Sequence, residues 1–107
     1  MSSPGHLNSQ FAVIDVNEIP YIEKIVVIKQ KGEHTLEFDW ECLSSEACEF
    51  EVFLNHNIVA SFKDATNLVQ RGVVHIDSCD CCEGKNLLKF QAVGDVACGL
   101  DNVQVSN

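Results

Sequence analysis

The alternation of apolar and polar residues over residues 34–42 is the feature that most constrains the fold of this chain. Every second residue from Leu36 to Cys42 is apolar, and the residues between them, Glu37, Asp39 and Glu41, are acidic. A period of two places successive side chains on opposite faces of a β-strand. The segment is therefore predicted to be a strand with one face in a core and the other face in solvent.

Other segments of the chain have strand composition or the same alternation, and Gly, Pro, Asn and Ser residues separate them. No segment has a convincing helical period, and residues 64–70 have room for one helical turn at most. The pattern predicts an all-β fold, an antiparallel jelly-roll β-sandwich of about eight strands. The predicted strands are residues 11–16, 25–30, 34–42, 48–55, 58–62, 73–77, 86–93 and 99–105.

The length of 107 residues is enough for one hydrophobic core. We expect residues 1–10, which are mostly polar, to form a flexible N-terminal arm, and residues 11–107 to form a single β-sandwich domain. No apolar run approaches the ~20 residues of a membrane helix, so no membrane insertion is expected. The start shows no signal peptide, which predicts a cytoplasmic protein, or one secreted or displayed at the cell surface by a leaderless route.

The charge balance excludes some partners. There are 16 acidic and 7 basic residues, for a formal net charge of −9. Nucleic acids require a basic surface, so a nucleic-acid partner is not expected. Divalent cations, neutral sugars and basic proteins remain compatible with this charge.

The six cysteines fall into two groups if consecutive strands run antiparallel. Loops 43–47, 63–72 and 94–98 then lie at one end, and turns 31–33, 55–57 and 78–84 at the other. A strand length, about 25 Å, separates the ends, which is too far for a disulfide between the groups. If any cysteines are oxidised, a Cys42–Cys48 bridge across a hairpin mouth is the first choice and Cys42–Cys98 the second. Fully reduced cysteines fit the sequence at least as well.

The turn Cys79-Asp80-Cys81-Cys82, with His75 and Asp77 nearby, has some of the residue types of a metal site. Zinc sites usually combine two matching elements that supply four ligands, and no second element is present. A cysteine-rich turn or a local redox feature is the simpler interpretation.

The acidic residues of two neighbouring segments suggest a charged strand face. If Cys42 lies opposite Cys48 in a hairpin, Glu41 faces Glu49 and Asp39 faces Glu51. Like charges directly opposite one another destabilise an antiparallel pair. The face is therefore expected to be solvated, covered by lysines or neutralised by calcium, and it could dock a basic protein partner.

The last strand contains one further candidate metal ligand. Simple alternation places Asp101 on the same face as Val103 and Val105, which points it inward. A buried carboxylate needs a partner. Calcium, held with backbone carbonyls and Asp15, or backbone amides would satisfy it.

No motif for catalysis is present. The chain has no nucleophile elbow, and its carboxylates lie on strand faces rather than in a cleft. Tyr21, in a loop beside Pro20, and the outward-facing Phe53 are the two aromatic residues predicted outside the core, where either ring could stack on a sugar.

Three segments, in order, resemble the galactose-binding-domain-like jelly rolls. Residues 28–40, IKQKGEHTLEFDW, are similar to that family's Q-x-x-G-x-Y-x-L-x-F-x-W/Y strand pair. Residues 50–59, FEVFLNHNIV, are similar to its F-x-V-x-x-N-G-x-x-V hairpin. Residues 87–94 and 100–105, LLKFQAVG and LDNVQV, are similar to its closing L-x-F-x-A-x-G and I-D-N-V-x-V strands.

The resemblance implies a carbohydrate-binding module, a small lectin or a calcium-binding surface adhesion domain, with a calcium or loop-anchoring role for Asp101. Together with the residues, it predicts a non-catalytic, lectin-like protein that binds a glycan or glycoprotein through end loops. The alternative is a structural or protein-interaction module with an acidic strand face. An agglutinin would need several sites, which a homo-oligomer would supply. The predicted contacts are Asp64, Asn67, Arg71 and Asp95 at one end, and Asn55, His56 and Asn57 at the other.

Overall fold

A computed structural model describes residues 12–29, 32–44, 46–64, 68–76 and 84–106. Within these residues the strands are β1 (Ala12–Ile14), β2 (Tyr21–Ile28), β3 (His34–Cys42), β4 (Cys48–Leu54), β5 (Asn57–Asp64), β6 (Gln70–Ile76), β7 (Gly84–Ala92) and β8 (Cys98–Val105). The first sheet has the order β1-β8-β3-β6 and the second the order β2-β7-β4-β5. All pairings are antiparallel. No helix in the described ranges is long and apolar enough to cross a membrane.

The predicted all-β jelly-roll sandwich is confirmed, but one pairing assumed from the sequence is wrong. β3 and β4 do not form a hairpin, because β3 pairs with β6 and β8 in the first sheet and β4 with β5 and β7 in the second. The predicted Cys42–Cys48 disulfide is present, with a Cα–Cα distance of 5.4 Å. It therefore joins two inner strands of facing sheets, at the ends of those strands, rather than two strands of one sheet.

The predicted acidic ladder is wrong for the same reason. Glu37, Asp39 and Glu41 alternate with the core residues of β3, so they lie on the outer side of the first sheet. Glu49 and Glu51 alternate with the core residues of β4, on the outer side of the second sheet. The two sets of carboxylates are thus on opposite sides of the sandwich and do not repel each other as cross-strand pairs.

The core between the sheets is dominated by aromatic rings. Phe38 is fully buried and packs edge-to-face against Phe50, Phe62 and Phe90, with ring centroids 5.9, 5.3 and 5.1 Å away. Trp40 contacts Phe50 across the sandwich at 5.3 Å. Gly72 lies opposite Phe38 on β6, and the Phe38 ring occupies the space that a Cβ at Gly72 would need. The alternating apolar residues of the sequence thus meet across two sheets.

Two strands, β2 and β6, begin at least three residues earlier in the chain than predicted. β2 starts at Tyr21, directly after Pro20, so Tyr21 is a strand residue and not a loop residue. β6 starts at Gln70, which places Arg71 in the strand rather than in the loop before it. The first residues of both strands are polar or partly exposed, so they lack the apolar composition of a typical strand. Local composition is therefore a weak guide to where a strand begins.

The predicted distribution of loops between the two ends is confirmed where the structure describes it. Leu43 N donates to Ala97 O at 3.0 Å, which joins the loops after β3 and β7. The β4–β5 turn lies at the other end, with positive φ angles at Asn55 and His56, as a two-residue hairpin turn requires. The turn Cys79–Cys82 and the N-terminal arm lie outside the described residues.

Cys98 is a free, fully buried thiol beside the disulfide. Burial raises the pKa of this thiol from 9.0 to about 11, and a contact with the Glu49 carbonyl oxygen opposes the shift. The folded protein therefore keeps its proton at pH values where the unfolded chain has lost it. The neutral thiol favours the folded state below pH 9, and this contribution is lost as the pH rises towards 11.

We expect the free energy of unfolding to decrease between pH 9 and 11 more steeply in the native protein than in a Cys98→Ala variant. The difference in slope should reach about 1.4 kcal/mol per pH unit, the linkage value for one proton. Denaturant titrations of both proteins across this range measure the difference, and the variant removes the contributions of the other titrating groups. Parallel curves would contradict the assignment.

Candidate functional site

The residues predicted to form a ligand site at one end of the sandwich are only partly brought together. Asp64 ends β5 and accepts a hydrogen bond from Gln70 Nε2 at 2.9 Å, and Asp95 is exposed in the β7–β8 loop at the same end. Asn67 lies outside the described residues. Arg71 is the second residue of β6 at this end, but its side chain lies on the outer face of the first sheet, in ion pairs with that sheet's carboxylates.

Arg71 neutralises the carboxylates of the first sheet's outer face. Its Nη2 lies 2.8 Å from Glu37 Oε2 and its Nη1 lies 3.1 Å from Asp39 Oδ1. The hydrogen bonds to Asp39 and then to Glu37 raise the pKa of the guanidinium. Asn102 Nδ2 also donates to Asp39 Oδ2, at 2.8 Å. These carboxylates therefore have cationic or polar partners of their own.

The prediction that Asp101 points inward is wrong. A bulge in β8 adds one residue between the pairs Glu37↔Gln104 and Asp39↔Asp101, and Asn102 takes a φ of 53° within it. The extra residue reverses the alternation, so Val103 and Val105 pack against the core while Asp101 lies opposite Asp39 on the outer face. Asp101 Oδ1 accepts a hydrogen bond from Asn102 N at 2.9 Å.

Asp15 and Asp101 do not form the predicted calcium site. Ile14 pairs with Cys98, so Asp15 lies about four residues along the sheet from Asp101, roughly 13 Å. Asp15 Oδ1 instead accepts from Asn17 N in its own turn. Within the described ranges, no three His, Cys, Asp or Glu side chains are grouped so that they could hold a metal ion. The residues present thus do not fit calcium at this position.

The side chain of Asn55 at the opposite end is engaged in structural hydrogen bonds. Asn55 Nδ2 donates to Asn86 Oδ1 at 2.8 Å, and its Oδ1 accepts from Leu87 N at 2.9 Å. These bonds attach the β4–β5 turn to β7. His56 and Asn57 are exposed beside it.

The outer face of the second sheet carries two rows of side chains that sequence reasoning did not assemble. One row is Tyr21–Gln91–Glu51–Ser61, and the next is Glu23–Lys89–Phe53–Ile58, each crossing β2, β7, β4 and β5 in that order. Neighbouring rows are about 7 Å apart, because they are separated by two residues along each strand. We call these two rows the outer platform.

Lys89 stands between the two aromatic rings of the outer platform. Its Nζ lies 5.4 Å from the centroid of the Tyr21 ring and 4.9 Å from that of the Phe53 ring, within the range of a cation–π contact. Tyr21 is 48% exposed, so much of its ring surface is open to solvent. Tyr21 and Phe53 are two strands apart, about 10 Å across the sheet. The ammonium group thus links two rings on a rigid sheet.

The polar members of the outer platform surround these rings. Gln91 and Glu51 are neighbours on adjacent strands in the Tyr21 row, and Glu23 lies opposite Lys89 in the other. Together they offer amide, carboxylate and ammonium groups beside two apolar rings. This arrangement suits an elongated ligand that has apolar faces and a rim of hydroxyl groups.

The sequence contained part of the signal for this platform. Phe53 and Tyr21 are the two aromatic residues predicted outside the core, and β7 alternates outward Leu87, Lys89 and Gln91 with buried residues. What the sequence lacked was the pairing of β7 between β2 and β4. Without it, Lys89 could not be placed between the rings.

Comparisons with known proteins agree with this architecture. Neither a protein-family model nor a curated protein matches the chain. Among solved structures, a family 35 carbohydrate-binding module from Clostridium thermocellum superposes with a TM-score of 0.67 at 20% identity, covering 79% of this chain and 68% of that one.

Two family 36 carbohydrate-binding modules are also similar in structure. One, solved in complex with calcium and xylotriose, has a TM-score of 0.66 at 13% identity and covers 99% of this chain and 90% of that one. The other is from a multidomain xylanase of the Trinervitermes trinervoides hindgut metagenome. It has a TM-score of 0.67 at 8% identity and covers 98% of this chain and 91% of that one. At these identities the likeness is one of fold, and the chain has the jelly-roll β-sandwich fold of carbohydrate-binding modules.

Proposed function

We propose that this protein binds carbohydrate without catalysis, and that the outer platform of the second sheet is its binding surface. The observation that carries the proposal is the pair of rings, Tyr21 and Phe53, fixed on either side of Lys89. The apolar faces of pyranose rings stack on aromatic rings, and a span of about 10 Å between the rings fits a short oligosaccharide better than a single sugar. The fold likeness to carbohydrate-binding modules supports the same conclusion.

The polar groups of the outer platform would set the orientation of the bound sugar. Gln91 can both donate to and accept from sugar hydroxyls, Glu51 accepts, and Lys89 donates. Because all three project from strands in fixed register, binding requires no ordering of the backbone, and the entropic cost is confined to the side chains. The many carboxylates of the chain favour a neutral sugar over a polyanionic one.

The end-loop site predicted from the sequence is the competing location for the same function. Asp64 and Asp95 lie at one end of the sandwich and could bind hydroxyl groups there. That end offers no described pair of outward-facing rings comparable to Tyr21 and Phe53, so we place the sugar on the sheet. We also expect binding to be independent of calcium, because Asp15 and Asp101 are far apart. Agglutination would further require more than one site per particle.

The alternative of a basic protein docking on an acidic face has less support. The carboxylates Glu37 and Asp39 of the first sheet are already paired with Arg71. Displacing that arginine would cost an incoming lysine or arginine much of the energy it gains.

A glycan array, followed by calorimetric titration with the oligosaccharides that bind, tests the proposal. We expect binding in the presence of EDTA, and we expect Tyr21→Ala and Phe53→Ala each to weaken it by at least about tenfold, which corresponds to about 1.4 kcal/mol. Val73→Ala is the matched control, because Val73 is also 48% exposed but lies on the outer face of the other sheet.

A second pair of variants separates the two locations. Asp64→Ala with Asp95→Ala should leave binding unchanged if the outer platform is the site. Loss of binding in that double variant, with retention in Tyr21→Ala and Phe53→Ala, would move the site to the end loops. A blank array would refute carbohydrate binding itself.

A further inference from the structure

β2 is an edge strand of the second sheet, and no described strand pairs with the side of β2 that faces away from β7. β2 pairs with β7 over its whole length, from Tyr21 to Ile28, in a register without a shift. No described strand lies on the other side of β2 in the sheet order β2-β7-β4-β5. A regular edge strand of eight residues is a template for pairing with another strand.

The hydrogen bonds show which residues of β2 face this edge. Ala92 N donates to Pro20 O at 2.8 Å, and the register places Pro20 opposite Ala92. In an antiparallel ladder hydrogen-bonded pairs alternate with non-bonded pairs, so every second residue after Pro20 bonds to β7. The N–H and C=O groups of Glu23, Ile25 and Val27 therefore point away from β7, towards the edge.

The other three edge strands carry features that hinder such pairing. β1 has only 3 residues. β5 contains a register shift opposite Val52 and Phe53 and carries Lys63. β6 carries Arg71, which is held in ion pairs with the neighbouring strand. β2 carries two charged residues, Glu23 on the outer face and Lys24 on the core-facing side, but it keeps one register over eight residues.

The solvent-facing side chains of β2 are also apolar in the middle and at the end of the strand. Ile25 and Val27 are each 54% exposed, and Leu87 lies beside Ile25 on β7. β-branched side chains on an edge strand stabilise a cross-strand pair when a partner strand is present.

We propose that two copies of this chain associate through β2, antiparallel, about a two-fold axis at Val26. The two second sheets then form one continuous eight-stranded sheet. A two-fold axis perpendicular to the sheet keeps the outer faces on the same side, and in this arrangement Ile25 lies opposite the partner's Val27. The proposal does not rest on carbohydrate binding, although it would place two outer platforms side by side.

Charge complementarity selects this register. With the axis at Val26, Glu23 lies opposite the partner's Lys29, a favourable cross-strand pair that occurs twice. An axis at Ile25 would instead place the Glu23 carboxylate opposite the partner's Val27. Lys24 lies opposite the partner's Ile28, where its methylene groups can cover apolar surface while the ammonium group reaches water.

Sedimentation equilibrium over a wide concentration range tests the association. We expect a reversible dimer, and we expect Val27→Lys to raise its dissociation constant at least about a hundredfold, because the substitution occurs twice in a two-fold interface. Val73→Lys is the matched control, since it is the same substitution at a 48% exposed valine on β6, an edge strand of the other sheet, and it should leave the dimer intact. Circular dichroism verifies that both variants are folded.

The register has its own test. Glu23→Lys and Lys29→Glu should each weaken the dimer, and the two together should restore it. Amide exchange of Glu23, Ile25 and Val27 should slow as the protein concentration rises, whereas Val26, bonded to β7, should not respond. A monomer at all concentrations, or a dimer that Val27→Lys does not weaken, would refute the proposal.

Discussion

Phe38→Ala is expected to lower the free energy of unfolding by about 3–5 kcal/mol. The side chain is fully buried and is the centre of three edge-to-face ring contacts, with Phe50, Phe62 and Phe90. These partners come from β4, β5 and β7, all in the opposite sheet, so they cannot fill the space left by the ring unless whole strands shift towards it. A domain of this size has a total stability of about 5–15 kcal/mol, so the loss is a large fraction of it.

Phe53→Ala is the matched control for this substitution. It removes the same atoms from a strand residue that faces outward, where no core cavity results. We expect a loss of less than about 1 kcal/mol. Urea unfolding monitored by the fluorescence of Trp40 measures both variants. Equal losses would mean that the Phe38 ring is not the centre of the core.

The contact between Phe38 and Gly72 gives a second, independent test of the position of the Phe38 ring. A methyl group at Gly72 would overlap the Phe38 ring, so Gly72→Ala should destabilise the native protein by about 1–3 kcal/mol. In the Phe38→Ala background the overlap is gone and the same change should cost much less. A double-mutant cycle measures this coupling, and additive losses would contradict the contact.

The strands could be predicted from the sequence because their signal is local. Alternation of buried and exposed residues in β3 and β4 depends only on the period of a strand, and all eight strands overlap the predicted segments. The hairpin turn at Asn55 and His56 was equally local, since short polar residues tolerate positive φ angles.

The assignment of strands to sheets could not be predicted, because it depends on contacts between distant residues. β3 and β4 have complementary patterns and a short connection, which fits a hairpin as well as it fits two facing sheets. Asp101 shows the same limit at one residue. Alternation points it inward, and the bulge at Asn102, stabilised by a bond to Asp39 on another strand, points it outward.

The outer platform depends on the same long-range information. Tyr21 and Phe53 are separated by more than thirty positions in the sequence, and they flank Lys89 only because β7 lies between β2 and β4. That the two aromatic residues face outward could be predicted from the sequence, but their common partner could not.

Cys48→Ala is expected to redirect the disulfide to Cys42–Cys98 under oxidising conditions. Cys42 lies opposite Cys98 in the β3–β8 register, and the bond from Leu43 N to Ala97 O makes the next pair along the strands a hydrogen-bonded one. Cys42 and Cys98 are therefore a non-hydrogen-bonded pair, in which Cα atoms approach to about 4.5 Å, within the range for a disulfide. Oxidation requires an added disulfide reagent, such as oxidised glutathione.

The stability of this variant should differ from that of a double variant with no bridge. Cys42→Ala with Cys48→Ala removes a short loop closure, for which loop entropy predicts a loss of about 2 kcal/mol. The oxidised Cys48→Ala variant closes a much longer loop through Cys42–Cys98, for which loop entropy predicts a stabilisation of about 4 kcal/mol. It should therefore be more stable than the double variant, which has no bridge. Non-reducing peptide mapping identifies the bridge, and denaturant titration measures the difference. If Cys98 instead remains a thiol after equilibration in the glutathione buffer, the two side chains do not face each other and the β3–β8 register at this end is wrong.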